Sequence, residues 1–75
     1  MDKIKEILLD INPDLDVNRT DLIDGHFLDS LSIISLVAQL EEEFDIIIPA
    51  VEIVPKNFNS VEALNAMVER LVEED

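Results

Sequence analysis

Seventy-five residues make one small domain, and a chain of that size buries only about 60 to 65 % of the surface its unfolded form exposes, so the core is marginal. With 48 % hydrophobic residues and no cysteine, the core closes without a disulfide or a thiolate metal site, and any thiol chemistry has to be imported. Eighteen acidic residues against five basic ones leave a net charge of −13, which disfavours nucleic acid and anionic membrane surfaces and favours partners with positive patches.

The segment from Met1 to Lys5 has too short an apolar run for a secretion signal, and nowhere do about 18 apolar residues follow one another. A cytoplasmic protein without direct membrane insertion is expected, with a single domain over residues 1–75, since there is one glycine, no low-complexity tract and no internal repeat. Ile4, Ile7, Leu8 and Ile11 keep the i, i+3, i+4, i+7 spacing of an amphipathic helix from about Asp2 to Ile11, which Pro13 stops. From Asn12 to Phe27 the chain is polar and punctuated by Asn12-Pro13-Asp14, Asp24 and Gly25, with Leu15, Val17, Leu22, Ile23 and Phe27 available to pin it to the helices. A loop of that length without structure of its own usually serves a function, and this one delivers the chain to Asp29-Ser30.

The next stretch, Ser30 to Phe44, predicts the central helix. Asp29 is a good N-cap, because its carboxylate accepts from free backbone N–H groups of the first turn, and it puts Ser30 at the first helical position. An anion attached to Ser30 would sit at the positive end of the helix dipole, as phosphates do at other helix N-termini. At about 100° per residue, Ile33, Leu36, Val37, Leu40 and Phe44 form one stripe, the expected core face. Leu31, Ile34 and Ala38 fall on another sector beside Ser30, where a surface helix is normally polar, and suggest a docking patch. Glu41-Glu42-Glu43 reads as a solvated turn with a possible role in steering partners.

Beyond the helix, Asp45-Ile46-Ile47-Ile48-Pro49 taken alone resembles a short strand. A lone strand has no partner, so it is expected to be an extended linker whose isoleucines pack inward, with Ile48 held extended by Pro49. Ala50 to Val54 predicts one short helical turn ended by Pro55. Asn59 or Ser60 then caps a last helix through about Val72, with Glu62 completing a capping box from Asn59 and with Val61, Leu64, Val68 and Leu71 as its buried face. The expected fold is all-α, a small four-helix bundle of three longer helices and one short one, with a long loop after the first helix.

Two rival chemistries are measured against the residues. Asp10, Asn12, Asp14, Asp16, Asn18 and Asp21 fall at positions 1, 3, 5, 7, 9 and 12 of a calcium loop, but Leu15 stands where the sharp turn needs glycine and Asp21 where a longer bidentate Glu belongs. An acidic solvated loop and no metal site is the expectation. His26, Asp29 and Ser30 contain the residue types of a hydrolase triad. Five consecutive residues entering a helix do not easily converge into one, and no Gly-x-Ser-x-Gly elbow occurs, so no catalytic residue is expected and His26 reads as a loop residue.

Taken locally, Asp29-Ser30 could simply begin a helix, since both types are favoured there. The wider pattern argues for more. Leu28-Asp29-Ser30-Leu31, followed at the right distance by Leu36-Val37, Leu40-Glu41-Glu42-Glu43-Phe44, Ile46 and Ile48-Pro49, resembles the acyl and peptidyl carrier protein family. Asp-Ser-Leu alone recurs by chance, so the resemblance rests on the whole run. It implies that a phosphopantetheinyl transferase attaches 4′-phosphopantetheine from coenzyme A to Ser30, in a site that includes Asp29 and Leu31, and that the arm's thiol then carries an acyl or aminoacyl thioester.

It also implies a monomeric carrier that is not an enzyme: an adenylating acyl or aminoacyl ligase loads it and a downstream acyltransferase unloads it, each holding the surface weakly enough to release it. That surface would comprise the loop entering the helix, Ser30, Leu31, Ile34, Ala38 and the segment from Val51 to Val54, including Ile53. Fatty-acid carriers place acidic residues after the serine where this chain has Ser32 and Ser35. The stretch Pro49 to Ser60 is longer than its fatty-acid counterpart and aligns without a gap on the D-alanyl carrier pattern, with Phe58 at that family's aromatic position. The branch most resembled is therefore the D-alanyl carrier, serving cell-envelope teichoic acid D-alanylation. A fatty-acid or polyketide carrier is the alternative, and an unmodified helical interaction module or a calcium-binding protein is the contrasting class.

Overall fold

A computed structural model describes residues 2–74. Helix α1, Asp2–Ile11, follows the predicted apolar spacing, with Ile4, Ile7 and Leu8 buried. Its last turn is continued by Asn12, whose N–H donates to the Leu8 carbonyl at 2.9 Å, and Pro13 then prevents propagation. A long loop leads to α2, Ser30–Phe44, and a 3-10 turn at Ala50–Glu52 precedes the short α3, Pro55–Phe58, and then α4, Val61–Glu74. No strand occurs among the described residues. The all-α architecture with three longer helices and one short one is as expected.

The core lies where α1, α2 and α4 meet. Leu8, Leu22, Leu36, Leu40, Leu64 and Met67 have no exposed surface at all. On α2 the expected stripe divides: Leu36 and Leu40 are buried, while Ile33, Val37 and Phe44 are half-buried and close its edges. On α4 all four expected positions are buried, and Met67 joins them.

Several local expectations are corrected. Ile46 and Ile48 pack inward, but Ile47 is 82 % exposed, because successive side chains of an extended segment point to opposite sides. Glu41-Glu42-Glu43 belongs to the last turn of α2. The carboxylate of Glu41 accepts from the Ile48 N–H at 2.8 Å and Glu43 pairs with Lys3 at 3.4 Å, so the first of these glutamates holds the linker against the helix. Asp45 ends α2 in the left-handed region, φ 53°, with its N–H on the Glu41 carbonyl, the geometry of a helix C-terminus usually given to glycine or asparagine.

Pro55 does not end a helical turn; it begins α3, at a first position where its missing N–H costs nothing and its fixed φ suits the helix. Ser60 caps α4, its Oγ accepting from the Ala63 N–H at 3.0 Å. No capping box forms between Asn59 and Glu62, because the Asn59 side chain is engaged elsewhere, by the loop before α2. The polar loop residues close local turns: Asn12 accepts from the Asp14 N–H and Asp16 from the Asn18 N–H, while Asp21 binds Arg19 through two hydrogen bonds of 2.8 and 2.9 Å. No group of three or more potential metal ligands occurs among the described residues.

Candidate functional site

The start of α2 is built by its cap. Asp29 is extended, φ −92° and ψ 180°, and its Oδ1 accepts from the Ser32 N–H at 2.8 Å while its carbonyl accepts from the Ile33 N–H at 2.9 Å. Ser32, through its backbone N–H and its hydroxyl, holds the Asp29 carboxyl below the usual carboxylate range, and the Leu31 N–H adds to this. The carboxylate is thereby committed to the first turn of α2. Ser30 follows as the first helical residue, and it is exposed.

Around that serine lies apolar surface. Leu31 is 76 % exposed and Ile34 65 %, and Ala38 continues the same side of α2. Val51, in the 3-10 turn, is 80 % exposed, and Ile53 after it is partly exposed. Glu52 between them is held by Arg70 of α4 at 2.8 Å, which lowers its carboxyl below the usual range, and Asn57 Nδ2 adds a bond to its side chain. This anchors the turn that displays Val51. Between the turn and α2 lies a cleft of about 80 Å³ lined by Ile23, Ile33, Ile53, Val54, Pro55 and Phe58. A larger hollow of about 420 Å³, bounded by Asp45, Ile47, Pro49 and Glu74, lies at the other end of α2, roughly 22 Å along the helix axis from Ser30 at 1.5 Å per residue.

The loop that delivers Ser30 is tightly closed. The Leu22 carbonyl accepts from both the Phe27 and Leu28 N–H groups at 3.0 Å, and Gly25 and His26 close turns onto the Asp21 and Ile23 carbonyls. A Cβ on Gly25 would stand 2.6 Å from Cε2 of Phe27 and 2.8 Å from Asp21, so close packing demands glycine there. His26 takes the left-handed region, φ 62°, and is exposed. The Arg19 guanidinium lies 4.4 Å from the centre of the Phe27 ring and is fixed by Asp21, whose carboxyl it holds below the usual range.

Thus Asp29, Ser30 and Leu31 stand together as the spacing suggests, with Ile34 and Ala38 beside them and Val51 and Ile53 on the neighbouring segment. His26, Asp29 and Ser30 do not form a relay, since Asp29 is turned to Ser32. Leu22 packs inward as expected, but the backbone bonds it makes and the roles of Gly25 and Asn59 escape a reading of the sequence. Gly25-His26 marks a turn, but nothing local says which distant residue receives it.

The chain matches the phosphopantetheine attachment site family over residues 2–68. It is similar to two curated relatives from Bradyrhizobium diazoefficiens: aminoacyl carrier protein 2, 44 % identical over 41 residues, and aminoacyl carrier protein 1, 49 % identical over 41 residues. Each match takes in 55 % of this chain and 46 % of the relative, so it spans about half the length of these proteins. No solved structure gives a significant match.

Proposed function

The chain belongs to the phosphopantetheine attachment site family, a family of carriers rather than enzymes whose arm is covalently bound 4′-phosphopantetheine, and from that premise we propose that Ser30 bears the arm and that its thiol carries an aminoacyl group, D-alanine being the preferred cargo. In the modification the Ser30 oxygen bonds to the phosphorus of coenzyme A that bears the pantetheine, the pyrophosphate P–O bond breaks so that adenosine 3′,5′-bisphosphate leaves, and the serine proton passes to a base of the transferase or to water. The observation that supports this reading most is an exposed serine at the first position of a capped helix, where the dipole favours the resulting phosphodiester anion.

Three features support an amino acid over a long acyl chain. Both relatives bear names that say aminoacyl. Ser32 and Ser35 stand where the fatty-acid pattern has acidic residues. The cleft beside α2 has about 80 Å³, well below the roughly 300 Å³ at which pockets for drug-sized ligands begin, which suits a small cargo. D-alanine in particular rests on the ungapped alignment of Pro49 to Ser60 with the D-alanyl pattern, and with it goes a place in cell-envelope teichoic acid D-alanylation.

In this reading a monomeric cytoplasmic carrier is visited in turn by a phosphopantetheinyl transferase, an adenylating ligase and an acyltransferase. Each grips the apolar surface of Leu31, Ile34, Ala38, Val51 and Ile53. Among the described residues no helix is long and apolar enough to cross a membrane. The test is to load the arm-bearing chain with purified adenylating ligases and read the thioester by intact mass. D-alanine is expected to load. A fatty acid loading where amino acids fail would overturn the cargo assignment.

A further inference from the structure

Asn59 lies between α3 and α4, yet its side chain reaches a segment 35 and 36 positions away. Its Oδ1 accepts from the Ile23 N–H at 2.9 Å and from the Asp24 N–H at 3.0 Å, and its Nδ2 donates to Asp24 Oδ2 at 3.0 Å. Its backbone carbonyl accepts from the Leu22 N–H at 2.9 Å. One residue therefore makes four bonds to three consecutive loop residues.

Leu22, which has no exposed surface, passes that anchorage on: its carbonyl holds Phe27 and Leu28, and Asp29 and Ser30 follow directly. The same loop contains a non-glycine residue in the left-handed region and a glycine with no room for a Cβ. Such a conformation persists only where its surroundings impose it. The chemistry of the clasp selects asparagine. It must accept two N–H bonds at one atom and donate to a carboxylate from another, which the two arms of an amide do, whereas aspartate would oppose Asp24 and serine would have to make all three bonds through one oxygen on a shorter side chain.

We propose that Asn59 is a positioning residue for the modification of Ser30, acting through the loop 22–28 to hold the serine in the conformation the transferase accepts. This rests on Ser30 being the attachment residue. Without the clasp the loop samples other conformations, and the apparent KM rises by the inverse of the competent fraction, about tenfold if a tenth remains competent. Because Asp29 and Ser30 are unchanged, kcat stays within about twofold of wild type.

The experiment measures steady-state transfer from coenzyme A by a broad-specificity phosphopantetheinyl transferase to wild type, Asn59→Ala, Asn59→Asp, the exchange Asp24→Asn with Asn59→Asp, and the core control Val68→Ala. Asn59→Ala and Asn59→Asp are expected to raise KM about tenfold with kcat preserved. The exchange keeps an acceptor for both N–H groups and restores an amide facing a carboxylate, and it returns KM to within about threefold of wild type. Val68→Ala, destabilised but with the loop intact, keeps the wild-type KM.

A wild-type KM for Asn59→Ala or Asn59→Asp, no rescue by the exchange, or an equal rise in Val68→Ala would each overturn the proposal. Should Asn59→Ala fail to fold, Asn59→Asp against the exchange decides. A wild type that takes no arm would overturn the assignment of Ser30 itself, whereas a labelled wild type matched by Asn59→Ala overturns only the clasp.

Discussion

The two sides of α2 carry nearly the same side chains in opposite surroundings. Leu36 and Leu40 have no exposed surface, while Leu31 and Ile34 are 76 % and 65 % exposed. Burying a side chain of this kind is favourable by about 1.5 to 3 kcal/mol, so a small domain forgoes a real fraction of its stability by leaving two of them in water. The difference teaches that hydrophobicity alone does not separate core from exposed surface. What separates them is which flank α1 and α4 occupy, and the flank they leave open is the one beside Ser30.

The sharpest way to break this comparison is to replace one apolar side chain on each side. Leu40→Ala is expected to cost about 2 to 5 kcal/mol, a large share of a small domain's stability, read as a lower denaturation midpoint. Ile34→Asp should change stability by less than about 0.5 kcal/mol while lowering transfer to partner enzymes about tenfold or more, as loss of an anchor residue does. Loss of the fold in Ile34→Asp would place that side chain in the core.

Two smaller effects sharpen the contrast at the serine end. Asp29→Ala removes the cap and is expected to lower the melting temperature by a few degrees. The Asp29 carboxyl is held below its ordinary range in the folded chain. Its contribution is therefore present above the ordinary carboxylate pKa of about 4 and is lost as pH falls through the lower folded value. Wild type and Asp29→Ala should thus converge in stability on acidification; a gap that widens would contradict the cap. His26→Gly relieves the left-handed strain at a cost in unfolded-chain entropy, so stability should rise by no more than about 1 kcal/mol, measured by thermal unfolding.

Much of this was legible in the residues. The periodicity of Ile4, Ile7, Leu8 and Ile11 and the chemistry of Asp29 are local signals, and they place α1 and the start of α2 without reference to the rest of the chain. Local rules are ambiguous at Pro55, since proline both stops a helix and suits its first position. They mislead at Asn59, where a capping residue is claimed by acceptors and donors from a distant loop. Ile47 shows the limit of composition: three isoleucines in a row promise burial, but the extended backbone turns the middle one out. The close approach at Gly25 and the bond from Leu22 to Asn59 depend on contacts that no short window contains.

A carrier of this kind depends on one serine, and Ser30 is the residue proposed to receive the arm. Incubation with coenzyme A and a broad phosphopantetheinyl transferase, followed by intact mass measurement, is the direct test. One added 4′-phosphopantetheine on the wild type and none on Ser30→Ala is the predicted result. No addition to the wild type, or an arm still attached to Ser30→Ala, would contradict it.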